Sequence, residues 1–289
     1  MINGIKEVDF KPRTGLWFSG YLINYLRKNR GIVNTTLDLG LTYREVYVYE
    51  NYIVVNGKMF ELNDIDPGSE DKITFCENND CYVIEVRNGG YYKLKAIGID
   101  LSPTLEINGI HMHRITGLDP WRDAASKVKV VGVKKNDIVL DTCMGLGYTA
   151  INSILRGAAE VYTFEIDPNV IWVAERNPWS RSLSRREIHI VKGDITELIK
   201  SIDDEVFDKI IHDPPRFTSS TGSLYSFEFY TELFRVLKPC GKMFHYTGEP
   251  LSGRLLRGIS DRLRKAGFIE VKFIETIGGF LTVKPCLTT

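Results

Sequence analysis

The chain has 289 residues, of which 43% are hydrophobic and 26% are charged, and its 37 basic residues balance its 37 acidic residues. This composition is typical of a globular protein, and the length fits two domains. Zero net charge excludes a chain that is basic overall, although a local basic face for nucleic acid remains possible. No stretch of about 18 apolar residues is present, and the N-terminus lacks a signal-peptide pattern. We therefore expect a cytoplasmic protein without a membrane partner.

Five cysteines are scattered along the chain. An odd number without regular spacing does not form a disulfide framework. Cys76 and Cys81 are close in sequence, but no second Cys or His pair completes a zinc site. The sequence therefore predicts five reduced thiols and no metal site.

The first part of the chain favours a small, mainly antiparallel β domain. Short apolar segments at 46–49, 52–55, 73–75 and 81–86 are separated by turn signals, of which Asn56-Gly57 is one. A single helix is predicted at 21–28 from its apolar spacing. Asp119 followed by Pro120 is typical of a helix start, which would open the next domain. We place the two domains at residues 1–115 and 116–289.

From residue 137 onward, predicted strands and helices alternate. Five apolar strands are each followed by a helix, and two further strands at 268–274 and 280–283 close the chain without one. The five strands are 138–141, 161–165, 188–191, 207–212 and 242–246. This alternation implies an α/β fold with a parallel sheet, to which the final hairpin adds one antiparallel strand.

A glycine-containing segment, Asp141-Thr142-Cys143-Met144-Gly145-Leu146-Gly147, follows the first of these strands. Glycines allow a sharp turn and close approach to a ligand, and the N-terminus of the next helix offers free N–H donors. The spacing differs from the G-x-G-x-x-G of nicotinamide enzymes. The pattern D-x-x-x-G-x-G resembles motif I of class I S-adenosylmethionine-dependent methyltransferases, where it holds the methionine part of the cofactor.

Acidic residues follow the second and third strands. Glu165 ends the second strand, where a carboxylate can accept both hydroxyls of a ribose. Gly193-Asp194-Ile195 follows the third strand, and in the family that this chain resembles, the acidic residue there accepts the adenine amino group while the next residue packs on the ring. The resemblance implies S-adenosylmethionine as the cofactor. The residues that it assigns to the cofactor are Asp141, Thr142, Cys143, Met144, Gly145, Gly147, Tyr148, Thr149, Glu165, Ile166, Asp194 and Ile195.

The fourth strand ends in His212-Asp213-Pro214-Pro215-Arg216-Phe217. This segment resembles motif IV of amino-methyltransferases, [D/N/S]-P-P-[Y/F/W], in which the first side chain and a proline carbonyl accept hydrogens from an exocyclic amine. A flipped base usually stacks on the aromatic residue that follows. Here Arg216 takes that place, so either its guanidinium stacks on the base or pairs with a phosphate, or Phe217 stacks on the base. We predict Asp213, Pro214, Pro215 and Arg216 as the catalytic residues.

Three other interpretations compete with this one. Asp-Pro-Pro-Arg also resembles motif IV of RNA uracil C5-methyltransferases, but their nucleophilic cysteine follows the fifth strand, whereas Cys240 precedes it. The stretch Glu165-Ile166-Asp167 resembles spermidine synthases, which leaves an aminopropyltransferase open. A non-catalytic RNA-binding factor that has kept the fold is the third alternative.

The resemblance to class I methyltransferases covers residues 119–289, and the whole chain resembles predicted archaeal methyltransferases associated with RNA modification. It implies a Rossmann-like seven-stranded sheet preceded by the small β domain. It also implies methylation of an exocyclic amine in RNA, with cytidine N4 of ribosomal RNA favoured. Arginines cluster at 176–186 and 254–265, where they form either a solvated face or an RNA contact. The sequence leaves the oligomeric state open.

Overall fold

The structure, a computed structural model, describes residues 6–78, 80–248 and 252–286. Contacts divide it into two compact units. One unit contains Phe10–Arg122 and Asn169–Ser182, and the described part of the other contains residues 6–9, 123–168, 183–248 and 252–286. The predicted division at 115/116 makes each domain one continuous stretch, whereas these units interleave along the chain. No helix of the described residues is long and apolar enough to cross a membrane.

The unit that holds residues 10–122 consists mainly of three antiparallel sheets. Their strand orders are β1-β6-β7, β2-β3-β4-β5 and β11-β10-β9-β8. Its strands and first helix are β1 (Leu16–Ser19), α1 (Gly20–Lys28), β2 (Gly31–Thr35), β3 (Arg44–Val48), β4 (Tyr52–Val55), β5 (Lys58–Glu61), β6 (Ile73–Glu77), β7 (Asp80–Val83), β8 (Glu85–Arg87), β9 (Tyr91–Lys95), β10 (Thr104–Ile107) and β11 (Ile110–His111).

Local sequence explains α1. Ser19 caps the helix by accepting a hydrogen bond from the Leu22 N–H at 3.2 Å. Leu22, Ile23 and Leu26 then lie on one face and join the buried side of β2, β3 and β4 in a single apolar core. The predicted helix at 21–28 is confirmed.

The prediction of one strand at 81–86 is wrong. Ile84 interrupts it, and β7 and β8 on either side belong to different sheets. The Ile84 N–H donates to the Ile73 carbonyl, and its own carbonyl accepts from the Leu94 N–H. This fully buried residue therefore joins the two sheets, a tertiary role that an alternating apolar pattern does not distinguish from a continuous strand.

The remaining elements follow in chain order, and their strands form one sheet. They are α2 (Pro120–Val131), β12 (Ile138–Asp141), α3 (Tyr148–Leu155), β13 (Glu160–Glu165), α4 (Pro168–Glu175), β14 (Ile188–Lys192), α5 (Ile195–Leu198), β15 (Phe207–His212), α6 (Phe227–Val236), β16 (Leu237–Tyr246), α7 (Gly253–Lys265), β17 (Ile269–Ile274) and β18 (Gly279–Val283). Short 3₁₀ helices occupy Pro178–Ser184, Ile199–Ser201 and Gly222–Tyr225.

The strand order of this sheet is β14-β13-β12-β15-β16-β18-β17. All neighbours pair in parallel except β18, which is antiparallel to both β16 and β17. The prediction of a mixed α/β fold with a mainly parallel sheet is therefore confirmed. The chain runs outward from β12 through β13 to β14 and then returns to place β15 on the other side of β12. A ligand crevice is expected at such a switch point, outside the carboxyl ends of the strands.

Two disulfides correct the prediction of five reduced thiols. Cys76 is bonded to Cys81, because β6 and β7 form a hairpin in which these residues are direct partners. Cys240 is bonded to Cys286, and its N–H donates to the Lys284 carbonyl just before that residue. Only Cys143 is left as a thiol among the described cysteines.

Candidate functional site

The glycine segment forms a tight loop between β12 and α3. Gly145 has φ 54° and Gly147 has φ 75°, both in the left-handed region that favours glycine. A Cβ atom on Gly147 would lie 2.5 Å from Leu183 Cδ2, so a larger residue would have to displace this buried leucine. The Met144 N–H donates to the Phe164 carbonyl at 2.7 Å, which holds the loop against β13. At these two glycines the loop therefore presents backbone atoms without a side chain.

Glu165 lies against this loop. Its Oε2 accepts a hydrogen bond from the Gly145 N–H at 3.1 Å, and its Oε1 accepts one from the Asp167 N–H at 2.9 Å. Burial raises the pKa of this carboxyl to about 7. The neighbouring Ile166 is 62% exposed, which is unusual for an apolar residue at a strand end. A carboxylate and an open apolar side chain therefore stand together beside the loop.

Asp141 has a different environment. It is fully buried, its Oδ1 accepts from the Thr149 hydroxyl at 3.0 Å, and its Oδ2 accepts from the Thr163 hydroxyl at 2.7 Å. Burial raises the pKa of this carboxyl to about 7. Asp141 and Thr149 thus fasten the loop and α3 to the sheet, and their contact with a cofactor stays a prediction.

The other loop residues differ in exposure. Thr142, Met144 and Tyr148 are buried, and Cys143 is half-buried. Burial raises the pKa of the Cys143 thiol well above its usual range, so this thiol is not prepared as a nucleophile.

Asp194 and Ile195 follow β14, the neighbour of β13. The Gly193 N–H donates to the Glu165 carbonyl at 3.0 Å, which brings the two strand ends together. Asp194 is exposed and caps α5, because its Oδ1 accepts from the Thr196 N–H at 2.9 Å. Ile195 is 4% exposed and belongs to the core. Asp194 is therefore open to a ligand, whereas Ile195 is mostly covered.

Asp213 follows β15 directly, and its partner, Lys127, was not predicted. Lys127 Nζ lies 2.7 Å from Asp213 Oδ2 and 2.9 Å from Asp123 Oδ2. The same ammonium stands 3.7 Å from the centre of the Tyr246 ring. The Lys127 and Asp123 side chains are almost fully buried, whereas the Asp213 side chain is 18% exposed. The strand-end carboxylate is therefore ion-paired on one side and open on the other.

Charge and burial act against each other on this pair. Burial raises the pKa of Asp213, and the nearby Lys127 ammonium acts to lower it. The pKa of Lys127 lies above its usual range, because the attraction of Asp213 and Asp123 outweighs the cost of burial. Lys127 is therefore a cation throughout the neutral range.

The loop after Asp213 is held by the following 3₁₀ helix. Tyr225 Oη donates to the Pro215 carbonyl at 2.8 Å, and Thr221 Oγ1 donates to the Arg216 carbonyl at 2.7 Å. Pro214 is buried, whereas Pro215, Arg216 and Phe217 are exposed. The Phe217 ring meets the Tyr225 ring edge-on at 5.3 Å. Arg216 and Phe217 are thus both accessible to a substrate.

His212 connects this loop to the glycine loop and was not predicted. It is fully buried, with Nδ1 2.8 Å from Thr142 Oγ1 and Nε2 2.9 Å from the Leu224 carbonyl oxygen. Burial lowers the pKa of His212 to about 3, so the ring is neutral. Its Nε2–H then donates to Leu224, and Nδ1 accepts from the Thr142 hydroxyl. A single ring therefore fixes the distance between the two loops.

The two arginine clusters have different surroundings. The Arg176 guanidinium lies 3.6 Å over the Trp172 ring, and its Nε donates to the Tyr82 hydroxyl at 2.9 Å. That arginine has a structural role. On α7, Arg254, Arg257 and Arg264 are exposed. Within the described residues, no group of three His, Cys, Asp or Glu side chains could hold a metal ion.

Comparisons with known proteins cover this site. Residues 127–226, which include Lys127, the glycine loop, Glu165 and Asp213, match the family described as conserved hypothetical protein 95. Uncharacterized protein MJ1233 of Methanocaldococcus jannaschii is 49% identical over 220 residues, which are 75% of this chain and 75% of that protein. "Putative ribosomal RNA large subunit methyltransferase MJ1649" of the same organism is 31% identical over 94 residues, which are 32% of this chain and 24% of that protein.

A solved structure is similar over most of the chain. It is a spermidine synthase from Thermotoga maritima, with a TM-score of 0.56 and 18% identity over 97% of this chain and 83% of that chain. At this identity the likeness shows a shared fold and nothing about the reaction.

Proposed function

We propose that this chain, which belongs to the family of uncharacterized protein MJ1233, is an S-adenosylmethionine-dependent methyltransferase that modifies an exocyclic amine of RNA. One observation carries the proposal. The Asp213-Pro214-Pro215 segment follows β15 and the glycine loop follows β12, and these two strands are neighbours at the switch point of the sheet. The relative named "Putative ribosomal RNA large subunit methyltransferase MJ1649", similar over about a third of the chain, supports RNA as the substrate.

The residues present fit an adenosyl cofactor. Gly145 and Gly147 leave bare backbone at the helix N-terminus, where Glu165 stands ready to accept ribose hydroxyls. Exposed Asp194 offers an acceptor for the adenine amino group, and exposed Ile166 offers an apolar surface for the ring. When bound, S-adenosylmethionine supplies the methyl group on a sulfonium, which is already an activated leaving group.

Asp213 and Pro214 orient the acceptor. The Asp213 carboxylate and the Pro214 carbonyl each accept one hydrogen of the amine, which aims the nitrogen lone pair at the methyl carbon. Methyl transfer from a bound cofactor would form the new N–C bond and break the S–C bond, whose electron pair would stay on sulfur. The nitrogen then loses one proton, which Asp213 accepts and passes to solvent. Positioning of this kind supplies most of the rate enhancement.

The charge state of the site favours a neutral acceptor. A polyamine carries ammonium groups and needs uncompensated carboxylates, whereas Asp213 is already paired with buried Lys127 at 2.7 Å. The exocyclic amine of a nucleobase is uncharged and needs hydrogen-bond acceptors only. The Lys127 ion pair therefore supports base methylation over aminopropyl transfer to a polyamine.

Nitrogen is also a better acceptor here than carbon. Methylation of uracil C5 requires a thiolate, but Cys240 is bonded to Cys286 and burial raises the pKa of the Cys143 thiol. Among exocyclic amines we propose cytidine N4, with structured ribosomal RNA as the substrate. Exposed Arg216 would contact a phosphate or stack on the base.

The test is incubation of the protein with methyl-labelled S-adenosylmethionine and total RNA, protein extract or polyamines in separate reactions. We expect label in RNA alone, and nucleoside mass spectrometry should find it in N4-methylcytidine. Label in another base would reject cytidine while keeping the enzyme class. A further reaction with decarboxylated S-adenosylmethionine and polyamines tests the spermidine synthase alternative, which an aminopropylated polyamine would establish. No product with either cofactor would favour the non-catalytic RNA-binding factor.

A further inference from the structure

We infer that Lys127 is a positioning residue for methyl transfer, which keeps Asp213 ionised and presents its Oδ1 to the amine. This inference rests on the proposed function. Lys127 lies on α2, 86 residues before Asp213, and the two meet only in the folded chain. Lys127 Nζ contacts Asp213 Oδ2, which leaves Oδ1 for the amine in a side chain that is still partly exposed.

The cluster around Lys127 is built to hold a cation. Asp123 lies one helical turn earlier on α2 and pairs with the same Nζ atom, and the Tyr246 ring covers it. Asp123 Oδ1 is buried and has no hydrogen-bond partner among the described residues, so its carboxylate serves Lys127 through Oδ2 alone. The Lys127 ammonium is therefore held by two carboxylates and one aromatic face.

Several titratable groups surround Asp213. Lys127 and Asp123 reach it from α2, and Asp141 acts on it from the end of β12. The Cys143 thiol and the Tyr225 hydroxyl are close enough to interact with it electrostatically, and Tyr246 stacks on Lys127. Lys127 is the cation of this group, and the carboxylates of Asp123 and Asp141 oppose the ionisation of Asp213. Without Lys127, burial and these two carboxylates all favour protonated Asp213.

Protonation of Asp213 would impair its hydrogen bond with the amine. A carboxylic acid carries a proton on one oxygen, so Asp213 becomes a weaker hydrogen-bond acceptor for the amine and can no longer take up its proton. Loss of Lys127 should therefore be rescued by raising the pH, because Asp213 then ionises without its partner. A lysine that only stabilised the fold would give no such rescue.

The experiment compares Lys127→Met and Lys127→Gln with Lys129→Met, an exposed lysine on the same helix. Labelled methyl transfer to RNA is measured from pH 6 to 9. For both Lys127 variants we expect at least about a tenfold loss at pH 7 and a progressive return toward the wild-type rate at higher pH. Lys129→Met should match the wild type throughout. A loss of equal size at every pH, or no loss, would overturn the inference.

A second readout does not depend on turnover. Carboxyl ¹³C NMR of aspartate-labelled protein should show one resonance that is absent in Asp213→Asn. We expect this resonance to titrate at higher pH in Lys127→Gln than in the wild type. An unchanged titration would refute the role of Lys127 even if the enzyme methylates RNA, and a shifted one would uphold the ionisation argument even if the substrate is not RNA. Lys127→Gln keeps a hydrogen-bond donor in the buried site, so it serves as the test variant if Lys127→Met fails to fold.

Discussion

Asp213 carries the acceptor chemistry in the proposed mechanism, and its removal tests that chemistry directly. We expect Asp213→Ala to lower methyl transfer at least about a hundredfold, because one of the two hydrogen acceptors for the amine is lost. Cofactor affinity should stay within a few-fold, since the groups assigned to the cofactor lie at the ends of β12, β13 and β14 and in the segments that follow them. Single-turnover transfer and calorimetry measure the two quantities, and unchanged turnover would exclude the proposed role of Asp213.

Glu165 should make cofactor binding depend on pH. Its pKa is raised from an ordinary value near 4.5 to about 7, so in the free protein the neutral carboxyl is favoured below that pH. Because the pKa is higher in the folded protein, protonation of Glu165 stabilises the fold at low pH, and this stabilisation is lost as the pH rises through 7. Over the same range the ionised carboxylate, to which ribose hydroxyls bind, becomes available. We therefore expect the Kd for S-adenosylmethionine to fall by about tenfold between pH 6 and 8.

The control for this titration is Glu165→Gln, which keeps the shape of the side chain and cannot ionise. Its affinity should be lower at pH 8 and nearly independent of pH. Asp141, whose pKa is also about 7, is unchanged in the variant, so the difference between the two curves isolates Glu165. Equal pH dependence in both proteins would assign the effect to Asp141 instead.

The site residues that lie at the end of a strand, or directly after it, were predictable from the sequence. The glycine loop, Glu165 and Asp213 each end or follow an apolar run, and parallel strands bring such ends to one edge. Lys127 was missed because its partner is distant in sequence and its own helix carries no motif. The one available signal was the i,i+4 spacing of Asp123 and Lys127. These two charged residues share a helix face with Val128 and Val131, and charged residues on such an apolar face are expected to be buried as a pair.

At the level of helices and strands, α7 offers a clear test of packing. Leu263 is fully buried in the core of the seven-stranded unit, although most of this helix is polar. Leu263→Ala should lower the free energy of unfolding of that unit by between about 2 and 5 kcal/mol, because it removes apolar contacts and leaves a cavity. Leu155→Ala is the matched control, since this helical leucine is 63% exposed and should change stability by less than about 0.5 kcal/mol. Urea unfolding measures both, and similar losses would contradict the assigned packing of α7.

Boundaries were less predictable than the elements themselves. The helix predicted after the fourth strand begins as α6 only at Phe227, because Gly222–Tyr225 forms a separate 3₁₀ helix and Ser226 caps α6 by accepting from the Phe229 N–H. That break has a function in the fold, since it places Tyr225 Oη on the Pro215 carbonyl. Local pattern gives the apolar face of such a segment, but the hydrogen bond that interrupts it is set by a distant loop.

Across the whole chain, alternation of strands and helices predicted the parallel sheet, whereas connections between distant segments were not predictable. Cys240 and Cys286 are separated by 46 residues, and no spacing rule pairs them. They meet because β16 and β18 are neighbours, which is a consequence of the sheet order. The interleaving of the two units was not predictable for the same reason. Residues 169–182 belong to the unit of residues 10–122, although in sequence they lie between strands of the other unit.

The two disulfides should stabilise different parts of the protein by different amounts. In the chain-entropy model, a link across 46 residues contributes about 4 kcal/mol and one across 5 residues about 2 kcal/mol. Since each bond lies within one compact unit, Cys240→Ser with Cys286→Ser should speed hydrogen exchange in β12 to β18, and Cys76→Ser with Cys81→Ser should do so in β1, β6 and β7. Wild-type protein in reductant should show both effects, with the larger in the seven-stranded unit. Exchange that is unaffected by reductant in wild-type protein would mean that these cysteines are thiols, as their scattered spacing first indicated.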